Sequence, residues 1–234
     1  MTQSCTTRNS MRNTQQNGYG LVYVTHFGHA GLLVEDGVER FLVDPGTLSH
    51  GFEGERDLSA VLITHQHADH LDAHRAADLL AENPNASLIL DSESAEIHDK
   101  LTSPDRVRVV DEGDKLHFGD VEVSVIGRSH AVIHPDVPVV SNVGYFFESS
   151  GLFIPGDAFT APDREVKTLA LPISGPWQRL SDVVEYLRLV RPKVAVPVHE
   201  GMLAHPGIYV DYLRRLGPAE TQIKVLEPNS AIEF

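Results

Sequence analysis

One histidine-rich segment, Thr64-His65-Gln66-His67-Ala68-Asp69-His70, constrains this chain more than any other feature of its sequence. It follows a short apolar run, 60–63, and precedes a helical stretch from about 71 to 81, so it predicts a loop between a strand and a helix. Alternate side chains of an extended segment share a face, so the first two histidines can point the same way. We expect the aspartate and the last histidine to begin the helix and approach from another side. One short loop can therefore supply ligands to two adjacent metal ions.

The donor atoms of this segment are imidazole nitrogens and a carboxylate oxygen. Without a thiolate, such a set suits zinc, manganese or iron and does not choose among them. The chain has 13 His in 234 residues, so three His and one Asp at these offsets are a coincidence on the order of a few in a thousand. The alternative reading, a histidine-rich surface loop, is therefore much less favoured than a metal site.

Three later polar residues, His130, Asp157 and His199, each follow an apolar run. Strand ends that converge on one edge of a sandwich commonly assemble a site. An acidic residue at the end of a hydrophobic strand is costly unless it is paired or bound to metal, which makes Asp157 a candidate bridging carboxylate. Each residue alone is more simply a surface or hydrogen-bonded residue. Their order after the histidine-rich segment favours the metal site.

The rest of the chain alternates apolar runs with turn and helix signals. It starts as an antiparallel arrangement with Asp36-Gly37 as a hairpin turn, and then strands alternate with helices. Predicted strands cover 21–24, 31–34, 41–44, 60–63, 87–90, 107–110, 121–126, 143–148, 152–154, 168–171 and 194–198, and predicted helices cover 71–81, 94–101, 180–190 and 208–216. Two strand-rich halves with external helices indicate an α/β fold, a four-layer sandwich. We expect one domain over 19–234 after a disordered polar leader at 1–18.

Charge and cysteine content exclude several classes of protein. A formal net charge of −14 opposes the phosphate backbone, so we expect no nucleic-acid partner. The one cysteine, Cys5, lies in the leader and allows neither a disulfide framework nor a thiolate cluster. The leader lacks the apolar core of a secretory signal, and no run is long enough to span a bilayer. We therefore expect a soluble cytoplasmic protein.

In order and spacing, the sequence resembles the metallo-β-lactamase superfamily over nearly all of residues 20–230. The segments that carry the resemblance are Thr64-His65-Gln66-His67-Ala68-Asp69-His70, Ser129-His130, Pro155-Gly156-Asp157 and Pro197-Val198-His199-Glu200-Gly201. The earlier His26-Phe27-Gly28-His29-Ala30 and Leu42-Val43-Asp44-Pro45-Gly46 look like the branch that contains the ascorbate-6-phosphate lactonase and the N-acyl-phosphatidylethanolamine phospholipase D type enzymes.

This resemblance implies an αββα sandwich with a dinuclear site. Two divalent ions are implied, Zn²⁺ in the first place, with Mn²⁺ or Fe as alternatives. The implied ligands are His65, His67 and His130 on one ion, Asp69, His70 and His199 on the other, and Asp157 between them. Water bridging two such ions loses a proton near neutral pH and becomes the nucleophile. Asp69 is the predicted catalytic residue, which orients that nucleophile and carries a proton toward the leaving group.

Five further residues are predicted to lie around this site. His134 is an alternative to His130, which we favour because it is closer to the strand end. Asp44 is expected to accept a hydrogen bond and orient a ligand, with a plain turn residue before a proline as the alternative. His26, His29 and Trp177 are expected to line the pocket, with a structural or core role as the alternative for each.

The resulting prediction is a metal-dependent hydrolase of a small ester, lactone or phosphodiester. One alternative is a non-catalytic metal-binding or regulatory module on the same fold, and another is an iron-dependent oxidoreductase. The diiron oxygen reductases are expected to carry Glu in place of His67, which disfavours the second. An anionic sugar-phosphate lactone would need a basic partner, for which Arg128 and Arg164 are weak candidates. We also expect a homo-oligomer, since dimers and larger rings are common in the branch that the sequence resembles.

Overall fold

Two β-sheets pack face to face in the computed structural model, which describes residues 20–234. The strands are β1 (Val22–His26), β2 (Leu32–Asp36), β3 (Glu39–Val43), β4 (Ala60–Leu62), β5 (Ser87–Asp91), β6 (Val107–Val110), β7 (Lys115–Phe118), β8 (Val121–Ile126), β9 (Gly144–Phe147), β10 (Leu152–Ile154), β11 (Thr168–Pro172), β12 (Val194–Val198), β13 (Gln222–Ile223) and β14 (Ala231–Glu233). The α-helices are α1 (Ala73–Glu82), α2 (Ser92–His98), α3 (Leu180–Val190) and α4 (Pro206–Leu216), with short 3₁₀ helices at Phe52–Gly54, Asp99–Leu101 and Pro104–Arg106. The predicted leader and Cys5 lie outside the described residues.

The two sheets repeat one topology. In the first the strand order is β14-β1-β2-β3-β4-β5-β6, and in the second it is β13-β12-β11-β10-β9-β8-β7. Strands β1 to β3 and β7 to β10 are antiparallel, whereas β3 to β6 and β10 to β13 are parallel. Parallel strands require crossover connections, and an α-helix lies in four of the six: α1 between β4 and β5, α2 between β5 and β6, α3 between β11 and β12, and α4 between β12 and β13.

Three apolar layers hold this arrangement together. The central layer lies between the sheets and includes Phe41, Tyr145 and Phe147. One outer layer packs α1 on the first sheet through residues such as Leu79. The other packs α3 and α4 on the second sheet through residues such as Leu187. The predicted four-layer α/β sandwich is therefore confirmed.

Every predicted strand and helix is present, but several details of the prediction were wrong. The hairpin turn is Gly37–Val38 and not Asp36-Gly37, because Asp36 still pairs with Glu39. Helix α1 begins at Ala73, and α2 begins two residues earlier than predicted and also ends earlier, at His98. Strands β7, β13 and β14 were not predicted, since they are short and only partly apolar. One domain over 19–234 stays a prediction.

The site lies where strand ends meet. The polar residues of interest follow the carboxyl ends of β1, β3, β4, β8, β10 and β12. Strands from both sheets thus deliver side chains to one edge of the sandwich, as convergence of strand ends predicts. Among residues 20–234, none of the helices has both the length and the apolar character needed to cross a bilayer.

Candidate metal centre

The histidine-rich segment leaves β4 as a tight loop with its backbone anchored on both sides. Tyr145 donates its hydroxyl to the carbonyl of Ile63 at 2.7 Å, and the amide of Val143 donates to the carbonyl of Thr64 at 2.9 Å. The amide of His70 donates to the carbonyl of His67 at 2.9 Å, which closes a turn. Asp72 caps helix α1 by accepting from a backbone amide at 3.1 Å. Asp69 and His70 therefore lie in the turn before the helix and do not begin it, which corrects the prediction.

One group of imidazoles forms from His65, His67 and His130. One ring nitrogen of each lies within 4.8 Å of the others, and Nε2 of His65 lies 3.0 Å from Nδ1 of His67. His130 is brought in by the loop after β8, where its amide donates to the carbonyl of Val140 at 3.0 Å. All three predicted ligands of the first ion are thus brought together.

A second group contains Asp69, His70 and His199, together with His29. Nε2 of His199 lies 3.2 Å from Nε2 of His70 and 3.4 Å from Oδ2 of Asp69. His70 and His199 are almost completely buried, whereas the Asp69 side chain keeps 19% of its surface exposed. The three residues predicted for the second ion therefore also meet.

Asp157 lies between the two groups. Its Oδ1 is 3.1 Å from Nε2 of His70 and 3.2 Å from Nε2 of His199, and its Oδ2 is 3.4 Å from Nε2 of His130. The indole nitrogen of Trp177 donates to Oδ2 at 2.8 Å, and the amide nitrogen of Asp157 donates to the Asn142 side chain at 2.9 Å. One carboxylate thus faces both groups of imidazoles with its orientation fixed.

The donor atoms fit metal ions. Two imidazole nitrogens on one tetrahedral ion, at roughly 2.0–2.1 Å from it, lie about 3.3 Å apart, close to the 3.0 and 3.2 Å seen here. Nε2 of His130 and Oδ1 of Asp157 are buried and have no hydrogen-bond partner among residues 20–234. Buried polar atoms without partners are costly unless something else binds them. Nitrogen and oxygen donors of this kind suit Zn²⁺, Mn²⁺ or iron.

The electrostatics of the imidazoles differ between the groups. Burial lowers the pKa of His65 well below its usual value and also lowers the pKa of His67, so both are neutral. Burial alone would lower the pKa of His70, but the charges of Asp157 and Asp44 raise it well above its usual value. The second group therefore attracts positive charge, which protons or metal ions can supply.

The two carboxylates of the site are held in the ionised form. Burial alone would raise the pKa of Asp157, but the charge of His70 and the neighbouring imidazoles lower it well below its usual value. Burial likewise opposes ionisation of Asp69, whose pKa is nonetheless strongly lowered by its hydrogen bonds with His199 and His29. The ionised form is the one in which a carboxylate binds cations.

Asp44 contacts His70 and the neighbouring Thr64. Its Oδ2 accepts from Nδ1 of His70 at 2.8 Å and from the Thr64 hydroxyl at 2.7 Å, while Oδ1 accepts from the Thr64 amide at 2.8 Å. A proton on Nδ1 leaves Nε2 of a neutral His70 with its lone pair directed into the cluster. Thr64 was not among the predicted site residues, although its position next to His65 could have suggested it.

Gly46 and Arg75, also missed by the sequence analysis, hold the loop that carries Asp69. A Cβ on Gly46 would lie 1.7 Å from the carbonyl oxygen of Asp69, so only glycine permits this approach. Arg75 donates to the carbonyl of Ser49 at 2.8 Å and to that of Gly46, and pairs with Asp72 at 2.8 Å. The segment after β3 is thereby fastened to helix α1. The Asp44-Pro45-Gly46 sequence could have indicated a tight turn at this position.

His26 and His29 lie behind the second group. His26 Nε2 donates to the carbonyl of His29 at 3.0 Å and lies 3.7 Å from the Glu200 carboxylate. The His29 ring lies 3.9 Å, centre to centre, from that of His199, and its Nε2 is 3.1 Å from Oδ2 of Asp69. Burial lowers the pKa of His29. His29 is therefore in contact with the predicted ligands, and His26 supports its backbone.

His134, the alternative to His130, lies outside the cluster. Its side chain is 62% exposed and pairs with Asp136 at 3.6 Å, whereas the His130 side chain is 2% exposed and faces Asp157. His74, on the outer face of α1, is also exposed and pairs with Asp78. The structure thus brings His130 to the site and leaves His134 on the surface.

Three site residues have left-handed backbone, which non-glycine residues adopt at a cost of about 1–3 kcal/mol each. They are His29, Asp44 and His199, with φ angles of 53°, 49° and 64°. Each follows the carboxyl end of a strand, and the turn directs its side chain toward the cluster. Such strain persists only where the surrounding structure fixes it, and it is concentrated at functional sites.

The sequence was compared with known proteins. A family model described as a β-lactamase superfamily domain matches residues 23–199. Protein Rv0786c of Mycobacterium tuberculosis is 44% identical over 215 residues, which cover 90% of this chain and 99% of the relative. A UPF0173 metal-dependent hydrolase of Carboxydothermus hydrogenoformans is 29% identical over 233 residues, which cover 89% of this chain and 98% of that protein.

Solved structures share the fold at low identity. Igni18, a metallo hydrolase from Ignicoccus hospitalis, has a TM-score of 0.70 at 19% identity and covers 92% of this chain and 98% of its own. CmlA, a diiron β-hydroxylase from Streptomyces venezuelae, has a TM-score of 0.66 at 16% identity and covers 91% of this chain and 54% of its own. The lactonase and phospholipase D branch stays a prediction. The chain belongs to the metallo-β-lactamase superfamily, among its metal-dependent hydrolases.

Proposed function

We propose that this protein is a dinuclear hydrolase that acts on a small ester, lactone or phosphodiester. The observation that carries the proposal is the position of Asp157. Its two carboxylate oxygens face different imidazole groups, with His70 and His199 on one side and His130 on the other. A carboxylate shared in this way is suited to bridge two cations, and a site with a single cation would not require it.

Seven residues would hold the two ions, as the resemblance implies. His65, His67, His130, Asp69, His70 and His199 contribute one donor atom each, and Asp157 contributes both oxygens. Two divalent ions at such a site supply a Lewis acid for the carbonyl or phosphoryl oxygen and acidify water near neutral pH. Neither a serine nor a cysteine nucleophile is then required.

The remaining chemistry is assigned to the side chains of this chain. Asp69 is ionised and partly exposed, so it can accept a proton at the site and return it to the leaving group. Trp177 fixes Asp157 through the hydrogen bond to Oδ2, and its ring lies 5.9 Å from that of His130. Asp44 keeps His70 in the tautomer that offers Nε2.

The surface charges favour a substrate without a dianionic phosphate. Arg128 pairs with Glu112 at 2.7 Å, and Arg164 pairs with Glu148 and with Asp163. These arginines were the candidates for binding a sugar phosphate, and both are engaged on the surface. We expect neutral esters, lactones or phosphodiesters to be hydrolysed before phosphomonoesters are.

Iron-dependent oxygen chemistry is the second candidate, because the diiron β-hydroxylase CmlA shares the fold. His67, at a position where the diiron oxygen reductases are expected to carry Glu, favours hydrolysis. A non-catalytic metal-binding module is less favoured, since every predicted ligand is present. We also expect a cytoplasmic homo-oligomer without a nucleic-acid partner.

The first test is metal analysis of protein purified without added metal, beside the Asp157→Ala variant. His74→Ala is the matched control, because it removes an exposed histidine four positions after His70. Hydrolysis of bis-p-nitrophenyl phosphate and of a simple lactone is measured on all three proteins. We expect about two zinc or manganese ions per chain, lost together with activity in Asp157→Ala only. A single iron would support the oxygen chemistry, and no metal under any loading condition would refute the proposal.

A further inference from the structure

His29 could serve the second imidazole group in two ways, and the structure distinguishes them. One of its ring nitrogens lies close enough to donor atoms of Asp69, His70 and His199 to bind the same ion. The same nitrogen, Nε2, is 3.1 Å from Oδ2 of Asp69, where it can instead donate a hydrogen bond. Only a nitrogen without a proton can bind a metal, so the tautomer of His29 decides between these roles.

The other ring nitrogen fixes that tautomer. The backbone amide of Gly201 donates to Nδ1 of His29 at 3.1 Å. A nitrogen that accepts an N–H carries no proton, and a neutral imidazole carries one proton in all, so the proton of His29 is on Nε2. Gly201 is needed for this contact, because a Cβ there would lie 2.9 Å from Nδ1.

The rest of the surroundings prevent His29 from turning away. Its side chain is completely buried, and its backbone is held by three hydrogen bonds. The amide donates to Glu200 at 3.1 Å, and the carbonyl accepts from the His199 amide at 2.7 Å and from Nε2 of His26 at 3.0 Å. The hydrogen bond to Asp69 is thus preorganised by the fold.

We infer that His29 is a positioning residue that donates Nε2–H to Oδ2 of Asp69, and that it is not a metal ligand. This rests on the proposed function, in which Asp69 binds one ion and transfers a proton. Oδ2 is also the oxygen that lies 3.4 Å from Nε2 of His199. The hydrogen bond from His29 therefore holds Oδ2 in the position from which it would bind the ion. The other oxygen of this carboxylate, Oδ1, is then the one assigned to accept the proton.

The test compares His29→Gln, which can still donate to Asp69, with His29→Leu, which cannot. His74→Gln is the control on an exposed histidine. Titration of Zn²⁺ into each metal-free protein should give the same number of bound ions as wild type. His29→Leu should bind one ion about 10–100-fold more weakly, the usual effect of removing a partner of a ligand. With bis-p-nitrophenyl phosphate as substrate, His29→Leu should have a lower kcat than wild type and an unchanged KM. His29→Gln should keep most of the wild-type kcat.

A ligand role predicts a different outcome, namely loss of one whole equivalent of Zn²⁺ in both His29 variants. That result would overturn the inference. The tautomer is measured directly by ¹⁵N–¹H correlation spectra of histidine-labelled, metal-free protein, which should show the proton of His29 on Nε2. Gly201→Ala should disturb this signal without changing His29 itself. If wild type binds no Zn²⁺, the proposed function fails, whereas a proton found on Nδ1 refutes this inference independently.

Discussion

Replacement of Gly46 by alanine tests how the ligand loop is built. A Cβ at this position would lie 1.7 Å from the carbonyl oxygen of Asp69, 2.0 Å from its carbonyl carbon and 2.6 Å from the amide nitrogen of His70. All three are backbone atoms, so no side-chain rotation relieves the overlap. Two backbone hydrogen bonds also join the segment after β3 to the histidine-rich loop. The amide of Thr47 donates to the carbonyl of Ala68 at 2.8 Å, and the amide of Asp72 donates to the carbonyl of Pro45 at 3.0 Å.

The size of the effect follows from these distances. Ordinary contact begins near 3.4 Å, so the methyl group and the Asp69 carbonyl must separate by about 1.7 Å. Metal sites hold their ligand distances to within about 0.2 Å, a much smaller tolerance. We expect the ion on Asp69 and His70 to bind at least about 100-fold more weakly, which is about 2.7 kcal/mol. Overpacking should also lower the free energy of unfolding by about 1–3 kcal/mol.

The assay is Zn²⁺ titration by calorimetry on metal-free protein, with circular dichroism to show that the variant is folded. Gly54→Ala is the matched control, because a Cβ there meets no atom within 4 Å. We expect Gly54→Ala to bind like wild type and Gly46→Ala to keep the ion on the other imidazole group. Two equivalents bound by Gly46→Ala with wild-type affinity would refute the reasoning.

Three further predictions concern the surroundings of the site. Asp44→Asn should weaken Zn²⁺ binding by about 10–100-fold, because it weakens the acceptor that orients His70; unchanged affinity in the same titration would contradict this. Burial opposes protonation of His70 and His199, but neighbouring carboxylates raise the pKa of both side chains. Protons therefore compete with the metal ion for these imidazoles. The affinity for Zn²⁺ should decrease as the pH falls through the raised pKa values. Calorimetry in buffers of different ionisation enthalpy should show proton release on binding, and its absence at neutral pH would count against the prediction. Tyr145→Phe leaves the buried carbonyl of Ile63 without its hydrogen-bond donor and should lower the free energy of unfolding by about 1–3 kcal/mol. Urea denaturation of the metal-free protein measures this change, and an unchanged midpoint would refute the prediction.

The candidate ligands could be predicted from the sequence because they lie in segments that follow apolar strands. A buried strand has a readable apolar pattern, and a polar residue that follows within a few positions lies near the end of the sheet. This held for His199 after β12 and for Asp157 after β10. The choice of His130 over His134 used the same reasoning, and the structure places only His130 against Asp157.

The residues that hold those side chains in place were harder to find. Thr64 and Asn142 act through hydrogen bonds, and Gly201 acts through its backbone amide and the absence of a side chain. The sequence does not show which partner each residue contacts, because the partner lies far away in the chain: Gly201 and His29 are separated by 172 positions. The short strands β7, β13 and β14 were missed because two to four residues carry too little periodicity to be recognised.

By itself the sequence determined the layered α/β architecture, the order of its longer strands and helices, and a set of candidate side chains for binding metal. These follow from local patterns of apolar and polar residues, which encode secondary structure and burial. Only the tertiary structure decided that Asp157 faces both imidazole groups, that Gly46 admits the Asp69 loop, and that the Gly201 amide contacts Nδ1 of His29. Those facts depend on distances of 2 to 4 Å between segments far apart in sequence, and such distances exist only once both sheets are packed.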